Sequence, residues 1–244
     1  MKPLLQGELL KLRTTRTFVT LAAVTLGVSL LALVLLSTLQ DNLSEDDVRS
    51  LFYSDFTGLF IALLGVMGMA GEWRHRTITS TVLAAPKRLQ LLVAKMLSYA
   101  LAGTLMSLFV TVTLIIVGTV ILSARGEETL PLADLVDVLW RNLLVAALLG
   151  AFGVGVGGVI RNQVVALIGL LVLSFVIETT LWGVGAESVA RFGPTQGAPG
   201  GIIDPPGSDG EDLLAPGVAL LVMLGWIGLV FGATWATLRR RDLV

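Results

Sequence analysis

Residues 143–160 read LLVAALLGAFGVGVGGVI, eighteen consecutive positions without a charged side chain. A helix rises 1.5 Å per residue, so this stretch alone would cover most of the roughly 30 Å hydrocarbon layer of a bilayer. Within it, Gly153 and Gly157 have the small-xxx-small spacing that lets two membrane helices approach closely, and Gly150 lies one turn before them. A dinucleotide-binding loop is excluded, because these glycines follow no strand. The stretch therefore predicts a tightly packed transmembrane helix.

The rest of the chain continues this apolar pattern. Of its 244 residues, 55% are apolar and 14% are charged, whereas a soluble domain has about 45–50% apolar and about 25% charged residues. We therefore predict an all-α integral membrane protein with a single transmembrane domain over residues 1–244. The segment 183–214 is rich in Gly and Pro and is expected to be flexible or to form a lid. Six stretches are long and apolar enough to span a bilayer, at about 18–39, 51–70, 99–122, 139–160, 164–182 and 215–238.

Positive charges are concentrated on one side of this predicted topology, which we call the basic end. It holds 13 of the 17 Lys and Arg residues and three of the 18 acidic ones. Short cytoplasmic loops accumulate Lys and Arg, so both termini and the 71–98 region are predicted to be cytoplasmic. The opposite side, rich in Asp and Glu, is called the acidic end. The basic clusters adjoin helix ends, where they face lipid or a partner, and they give no sign of nucleic-acid binding.

The N-terminal segment, residues 2–17, is a candidate for a helix that lies along the membrane surface. Leu5, Leu9 and Leu12 recur at helical spacing beside basic side chains, which is typical of an interfacial amphipathic helix. This helix would lead into the first span. A basic N-terminus that only sets the orientation would explain the same residues.

A second charged segment at the basic end is GEWRHRTITSTVLAAPKR, residues 71–88. It is charged at both ends and places apolar side chains on one helical face. This pattern predicts a short helix that contacts a cytoplasmic partner, and an ordinary loop between helices is the alternative. The candidate contact residues are Glu72, Trp73, Arg74, Arg76, Ile78, Val82, Lys87 and Arg88.

Few side chains within the spans are candidates for substrate contact. An ionisable group inside a bilayer is costly, and Asp55 and Glu178 both fall near the outer ends of predicted spans. Each is expected to reach water or one of two arginines, Arg141 and Arg191, although Glu178 is also a candidate for a translocation path. Met67 and Met69 offer flexible apolar surface for the same path, or else they simply pack against neighbouring helices.

Enzymatic chemistry is not expected on this chain. Cys is absent and there is one His, so neither a thiolate metal site nor a usual zinc site is available. The sequence contains no GxxxxGK[ST] phosphate loop and no HExxH or GxSxG motif.

Over nearly its whole length the chain resembles the type-2 class of ABC transporter permeases, the small six-span exporters of bacteria. GELLKLRTTRT at 7–17 is similar to the surface helix that precedes the first span in that family. GEWRHRTITSTVLAAPKRLQLLVAKML at 71–97 looks like its cytoplasmic coupling segment, and RRRDL at 239–243 is similar to its basic tail.

The resemblance implies a multi-pass protein of the bacterial plasma membrane that acts as a dimer with a second copy or a paralogue. Each permease would dock on a separate cytoplasmic ABC ATPase subunit through residues 72–88 and the turn that begins at Arg161. ATP and Mg would bind in that partner, with no cofactor in this chain. Alternating access between the second and fifth spans would then move a hydrophobic or amphipathic small molecule or peptide.

Two other kinds of function stay open from the residues alone. A secondary transporter driven by an ion gradient normally has broken helices or charges near the bilayer midplane, and the sequence shows neither. A membrane scaffold or an immunity protein that only binds a peptide is the other alternative. A neighbouring reading frame with a phosphate-loop ATPase would favour the exporter.

Overall fold

Helices form all of the regular secondary structure in the part of the chain that the computed structural model describes, which is residues 2–39, 45–53, 55–74, 88–203 and 213–240. The helices are α1 Lys2–Thr14, α2 Arg16–Leu39, α3 Glu45–Phe52, α4 Thr57–Arg74, α5 Arg88–Arg125, α6 Leu132–Ile160, α7 Gln163–Gly183, α8 Glu187–Ala190, α9 Gly197–Ile203 and α10 Pro216–Arg240. A π-helical turn at Leu173–Glu178 lies within α7.

Five of these helices, α2, α5, α6, α7 and α10, are long and apolar enough to cross a membrane. They correspond to the predicted first, third, fourth, fifth and sixth spans, and they make this a multi-pass membrane protein. The counterpart of the second predicted span is α4, which has 18 residues and carries Glu72 and Arg74 in its last turn. Because α4 is short and its last turn is charged, it is not among the five helices that are long and apolar enough to cross a membrane.

The second predicted span, 51–70, is divided in the structure. Leu51 and Phe52 end α3 and are buried in a core with Leu33 and Leu114. The next helix begins at Thr57, whose backbone N–H donates to Oδ1 of Asp55 at 2.8 Å. An Asp side chain that accepts from the backbone N–H two residues later forms an Asx turn. This turn separates α3 from α4, so the helix of the second predicted span begins at 57 and not at 51.

The third predicted span, about 99–122, lies within a longer helix. α5 is continuous from Arg88 to Arg125, 38 residues or about 57 Å. Lys95 lies in the part of α5 that precedes the predicted span, and 1% of its side chain is exposed. Its partners, described below, explain how a charge is accommodated inside an apolar helix pair.

The centre of the molecule is α6, which packs against α4, α5 and α10. The contact with α4 is made by the backbone itself. A methyl group placed on Gly157 would lie 2.7 Å from the carbonyl oxygen of Val66, and one placed on Gly153 would overlap the carbonyl group of Ala62. Because only glycine leaves room for this approach, the glycines identified in the sequence lie at the closest helix contact. The third of them, Gly150, approaches the carbonyl of Tyr99 on α5 in the same way.

The turn between α6 and α7 is short and well defined. Arg161 takes a left-handed conformation with φ of 57° and ends α6. The side-chain oxygen of Asn162 then accepts hydrogen bonds from the N–H groups of Val164 and Val165, at 3.1 and 3.2 Å, and caps α7. This is where the polar residues predicted a break between two spans.

The segment after α7, which was expected to be flexible or to form a lid, is partly helical. Residues 187–203 contain α8 and α9, and most of α9 is buried. Its packing against α6 and α10 explains why a glycine-rich sequence folds there. Residues 204–212 of the predicted segment lie outside the described part of the chain.

We expect Gly153→Ala to lower the melting temperature of the purified protein, because the added methyl group must separate α4 from α6. Overpacking of this kind costs about 1–3 kcal/mol. Gly225→Ala on α10 is the matched control, since a methyl group there meets no atom within 4 Å. Equal melting temperatures for the two variants, measured in the same detergent, would contradict the close approach.

Candidate functional site

Four charged side chains meet at the basic end, and we call them the four-charge cluster: Glu8, Lys11, Glu72 and Lys95. The ammonium group of Lys95 donates to Oε2 of Glu8 at 2.6 Å and to Oε1 of Glu72 at 2.9 Å. The ammonium of Lys11 donates to the same two carboxylates, at 2.9 and 3.1 Å. The cluster therefore joins α1 to both α4 and α5.

The cluster explains how Lys95 is tolerated in an apolar helix. An ammonium group has three donors, and those of Lys95 meet the two carboxylates and, at 3.4 Å, the carbonyl oxygen of Gly68. A buried charge without partners would cost several kcal/mol. Two carboxylates and two ammonium groups also sum to zero net charge. The result is a neutral, hydrogen-bonded unit where a lone lysine would not be stable.

The charges of the cluster change the pKa values of Glu8 and Lys11. Burial by itself would raise the pKa of Glu8, but Lys95 and then Lys11 outweigh it and hold the pKa below its ordinary value of 4.5. For Lys11, burial would lower the pKa, yet the hydrogen bond that Lys11 donates to Glu8 and the nearby carboxylates raise the pKa above 10.5. Both groups of α1 therefore stay charged across the physiological range.

A cavity of about 620 Å³ adjoins the four-charge cluster, and we call it the basic-end cavity. Its walls come from α1, the second half of α4, α5 and the start of α7. Met67 lines it, together with Gly71 and Tyr99. Met69, predicted for the same path, is instead buried in the core with 2% of its surface exposed. The size is within the roughly 300–1,000 Å³ of small-molecule pockets.

Three other predicted contact residues lie beside this cavity. The guanidinium of Arg161 stacks on the ring of Trp73 at 4.5 Å and donates to the carbonyl oxygen of Thr237 at 2.7 Å. Arg74 is exposed, and it donates to the side chain of Gln163 at 3.4 Å. The structure thus brings the end of α4, the α6–α7 turn and the end of α10 together. Of the remaining predicted contacts, Arg76, Ile78, Val82 and Lys87, as well as the side chain of Arg88, lie outside the described residues.

Neutral donors hold Asp55 and Glu178 at the acidic end. Glu178 accepts from the backbone N–H groups of Thr195, Gln196 and Gly197, at 3.0, 2.7 and 3.2 Å, and thereby caps α9. Asp55 accepts from Ser107 and Thr111. Of the expected partners, which were water, Arg141 and Arg191, the Arg141 side chain does not pair with either carboxylate, because it donates to Asp137 and to the carbonyl of Ile202. Glu178 is 1% exposed and ties α7 to α9.

Sequence reasoning missed the four-charge cluster. Its visible sign was Lys95, a single charge within an apolar stretch, which invites a search for a carboxylate. Glu8 is 87 positions away, however, and no local pattern links the two residues. Glu72 was identified, but as a surface contact, whereas 10% of its side chain is exposed and its Oε1 faces both lysines.

Residues 4–177 match the family model described as ABC-2 family transporter protein. The matched range is well over half of the chain and includes the four-charge cluster, α4 and the π-helical turn up to its penultimate residue. No curated protein matches the sequence.

Replacing Lys95 by Met should destabilise the protein strongly, because it leaves Glu8 and Glu72 with only the half-exposed Lys11 between them. Removing one partner of a buried ion pair costs about 3–5 kcal/mol. The control is Lys11→Met, which removes the lysine whose side chain is 54% exposed and should cost about 1 kcal/mol or less. Melting temperatures in detergent show which variant is less stable. A larger decrease for Lys11→Met than for Lys95→Met would contradict the prediction.

The stabilising effect of Glu8 should depend on pH with a definite sign. Its pKa is lower in the folded protein, so its contribution is complete above the ordinary value of 4.5 and is lost as the pH falls through the lowered value. The melting-temperature difference between the wild-type protein and Glu8→Gln should therefore be constant near neutral pH and shrink below about pH 4.5. A difference that persists unchanged down to pH 3 would show that charge is not involved.

Proposed function

Since the chain belongs to the ABC-2 transporter family, whose membrane component is a permease without catalytic activity of its own, we propose that it is the membrane-spanning subunit of an ATP-driven exporter. The family match over residues 4–177 carries this proposal. A separate ABC ATPase subunit with ATP and Mg supplies the energy. A second permease, either another copy or a paralogue, completes the complex.

The proposed topology has six spans in a bacterial plasma membrane, with both termini in the cytoplasm. Five helices are long and apolar enough for this. We add α4 to these five as the second span in chain order. Its 18 residues extend about 27 Å, and its apolar part is enclosed by α5, α6 and α7. In this arrangement the charged last turn of α4 reaches the cytoplasmic surface, and α1 lies along that surface.

The energy input enters at the basic end. Residues 75–87, the proposed coupling helix, follow directly after α4 and directly precede α5. A displacement of that helix by the ATPase acts on the end of α4 and the start of α5, and the four-charge cluster links both of them to α1. Trp73, stacked under Arg161, extends the connection to the α6–α7 turn. Four elements thus respond together to one mechanical input.

The basic-end cavity is the proposed inward-facing part of the translocation path. Its lining by Met67 and by the apolar Leu64 suits a hydrophobic or amphipathic substrate. ATP shifts the equilibrium between inward-facing and outward-facing states only by its different affinity for the two. The path between the second and fifth spans then opens to the other side.

Arg74 offers the sharpest test of ATPase coupling, because it is exposed, whereas Glu72 is part of the buried cluster and its loss would also affect folding. We expect Arg74→Glu to reduce the substrate-stimulated ATPase rate of the copurified complex several-fold, since it reverses a charge at the docking surface. Arg125→Glu is the matched control, because Arg125 ends α5 at the acidic end of the molecule. This variant should leave the ATPase rate unchanged. The rate is measured per copurified ATPase subunit in nanodiscs.

Two outcomes would contradict the proposal. One is an Arg74→Glu complex with the same ATPase stimulation and the same amount of bound ATPase as the control. The other is transport by the permease alone in liposomes, driven by an imposed ion gradient and without any ATPase. The second result would identify a secondary transporter.

A further inference from the structure

A second cavity, of about 270 Å³, lies near the opposite end of α4, and we call it the acidic-end cavity. Its walls come from the start of α4, α6, α7 and the buried helix α9. The lining is mainly apolar, and three aromatic rings contribute to it, those of Tyr53, Phe56 and Phe175. Further apolar lining residues include Leu59, Val145, Leu149 and Ile203.

The cavity wall contains a carboxylate without a counter-ion. Oδ2 of Asp55 accepts from the hydroxyl groups of Ser107 and Thr111, at 3.0 and 2.7 Å, and Oδ1 accepts from the N–H of Thr57. In the described part of the chain, no basic side chain lies within ion-pair distance of Asp55. A carboxylate has about four acceptor positions, so capacity for another donor remains.

A second acceptor in the same wall has no partner at all. Asn142 is 3% exposed, and its Nδ2 faces the carbonyl of Phe52 at 3.3 Å and Thr111 at 3.5 Å. Its Oδ1 is buried and lacks any hydrogen-bond partner among the described residues. The amide orientation is fixed, because a carbonyl can only accept and so must face the NH₂ group. Buried polar atoms are nearly always satisfied, so this oxygen indicates a missing donor.

The two side chains are neighbours, since the hydroxyl of Thr111 donates to Oδ2 of Asp55 and accepts from Nδ2 of Asn142. A ligand that satisfies them must supply N–H or O–H donors and, opposite Asp55, a positive charge. An anion would be repelled by the carboxylate. A purely apolar ligand would leave Oδ1 of Asn142 without a partner. Ca²⁺ and Mg²⁺ prefer six or more oxygen ligands, which this mainly apolar wall does not provide.

We propose that the acidic-end cavity binds the protonated amino group of an amphipathic molecule, with Asp55 and Asn142 as its acceptors. The apolar wall then receives the hydrocarbon part, and the faces of Phe56 and Phe175 suit a cation. That this molecule is also the transported substrate rests on the proposed export function. Binding itself does not depend on it.

The test measures ligand-induced shifts in melting temperature of the full chain in nanodiscs, at constant salt and pH 7. The three probes are 2-phenylethylamine, which is protonated, 2-phenylethanol, which is neutral, and 3-phenylpropionate, which is an anion. Apparent Kd values follow from the concentration dependence. The amine should bind about tenfold more tightly than the other two, which is the size expected for a hydrogen bond to a charged group. Equal Kd values for the three probes would overturn the proposal.

Variants locate the site. Asp55→Asn keeps the shape of the side chain and should weaken amine binding about tenfold, while Asn142→Leu removes the second acceptor and should weaken it to a smaller extent. Glu187→Gln is the control, because it removes one exposed negative charge on α8. Unchanged amine binding in Asp55→Asn, or equal stabilisation of the wild type by sodium or potassium ions alone, would overturn the assignment. The comparison of the three probes on the wild type needs no variant to fold.

The same samples separate this inference from the export function. Amine binding that Asp55→Asn abolishes, without amine stimulation of the ATPase in the complex, would support the cavity assignment and contradict transport of the amine. Stimulation of the ATPase by neutral compounds, with no preference for the amine in binding, would support the export function and contradict the cavity assignment.

Discussion

The structure depends on one constraint, which is the high cost of leaving a polar group unpaired where water is excluded. Three buried polar sites satisfy it in three ways. Lys95 is neutralised by two carboxylates, Glu178 is held by the free amides at the start of α9, and Asp55 accepts from hydroxyl groups. In each case the partner comes from another helix or from a later segment. Polar side chains therefore fix which helices are neighbours, while apolar packing alone would allow several arrangements.

The same constraint separates what the sequence predicts from what it does not. Apolar length is a local property, so five spans and the break at Arg161 follow from it directly. The close helix contact follows from the spacing of Gly153 and Gly157, which is also local. The start of α4 at Thr57 was missed, because the run from residue 51 is mostly apolar and the turn that Asp55 forms with Thr57 depends on local structure that hydropathy does not report.

Long-range pairing is the other kind of information that was missing. Nothing near Lys95 indicates that Glu8 will reach it, and nothing near Glu178 indicates that a glycine-rich stretch will fold into a helix whose amides need an acceptor. In both cases the sequence shows one half of an interaction. A charge within an apolar stretch predicts that a partner exists, but it does not identify that partner.

The polar contacts also connect helices that extend between the two ends of the molecule. Glu178 of α7 holds the start of α9, and Arg141 of α6 donates to the carbonyl of Ile202 near its end. A shift of α7 against α6 therefore has to tilt α9 or break one of these bonds, and either change reshapes the acidic-end cavity. At the basic end, α7 begins at the turn whose Arg161 stacks on Trp73 of α4. Residues of α4 line both cavities, Gly58 and Leu59 at one end and Gly71 and Glu72 at the other, so one helix connects the two sites.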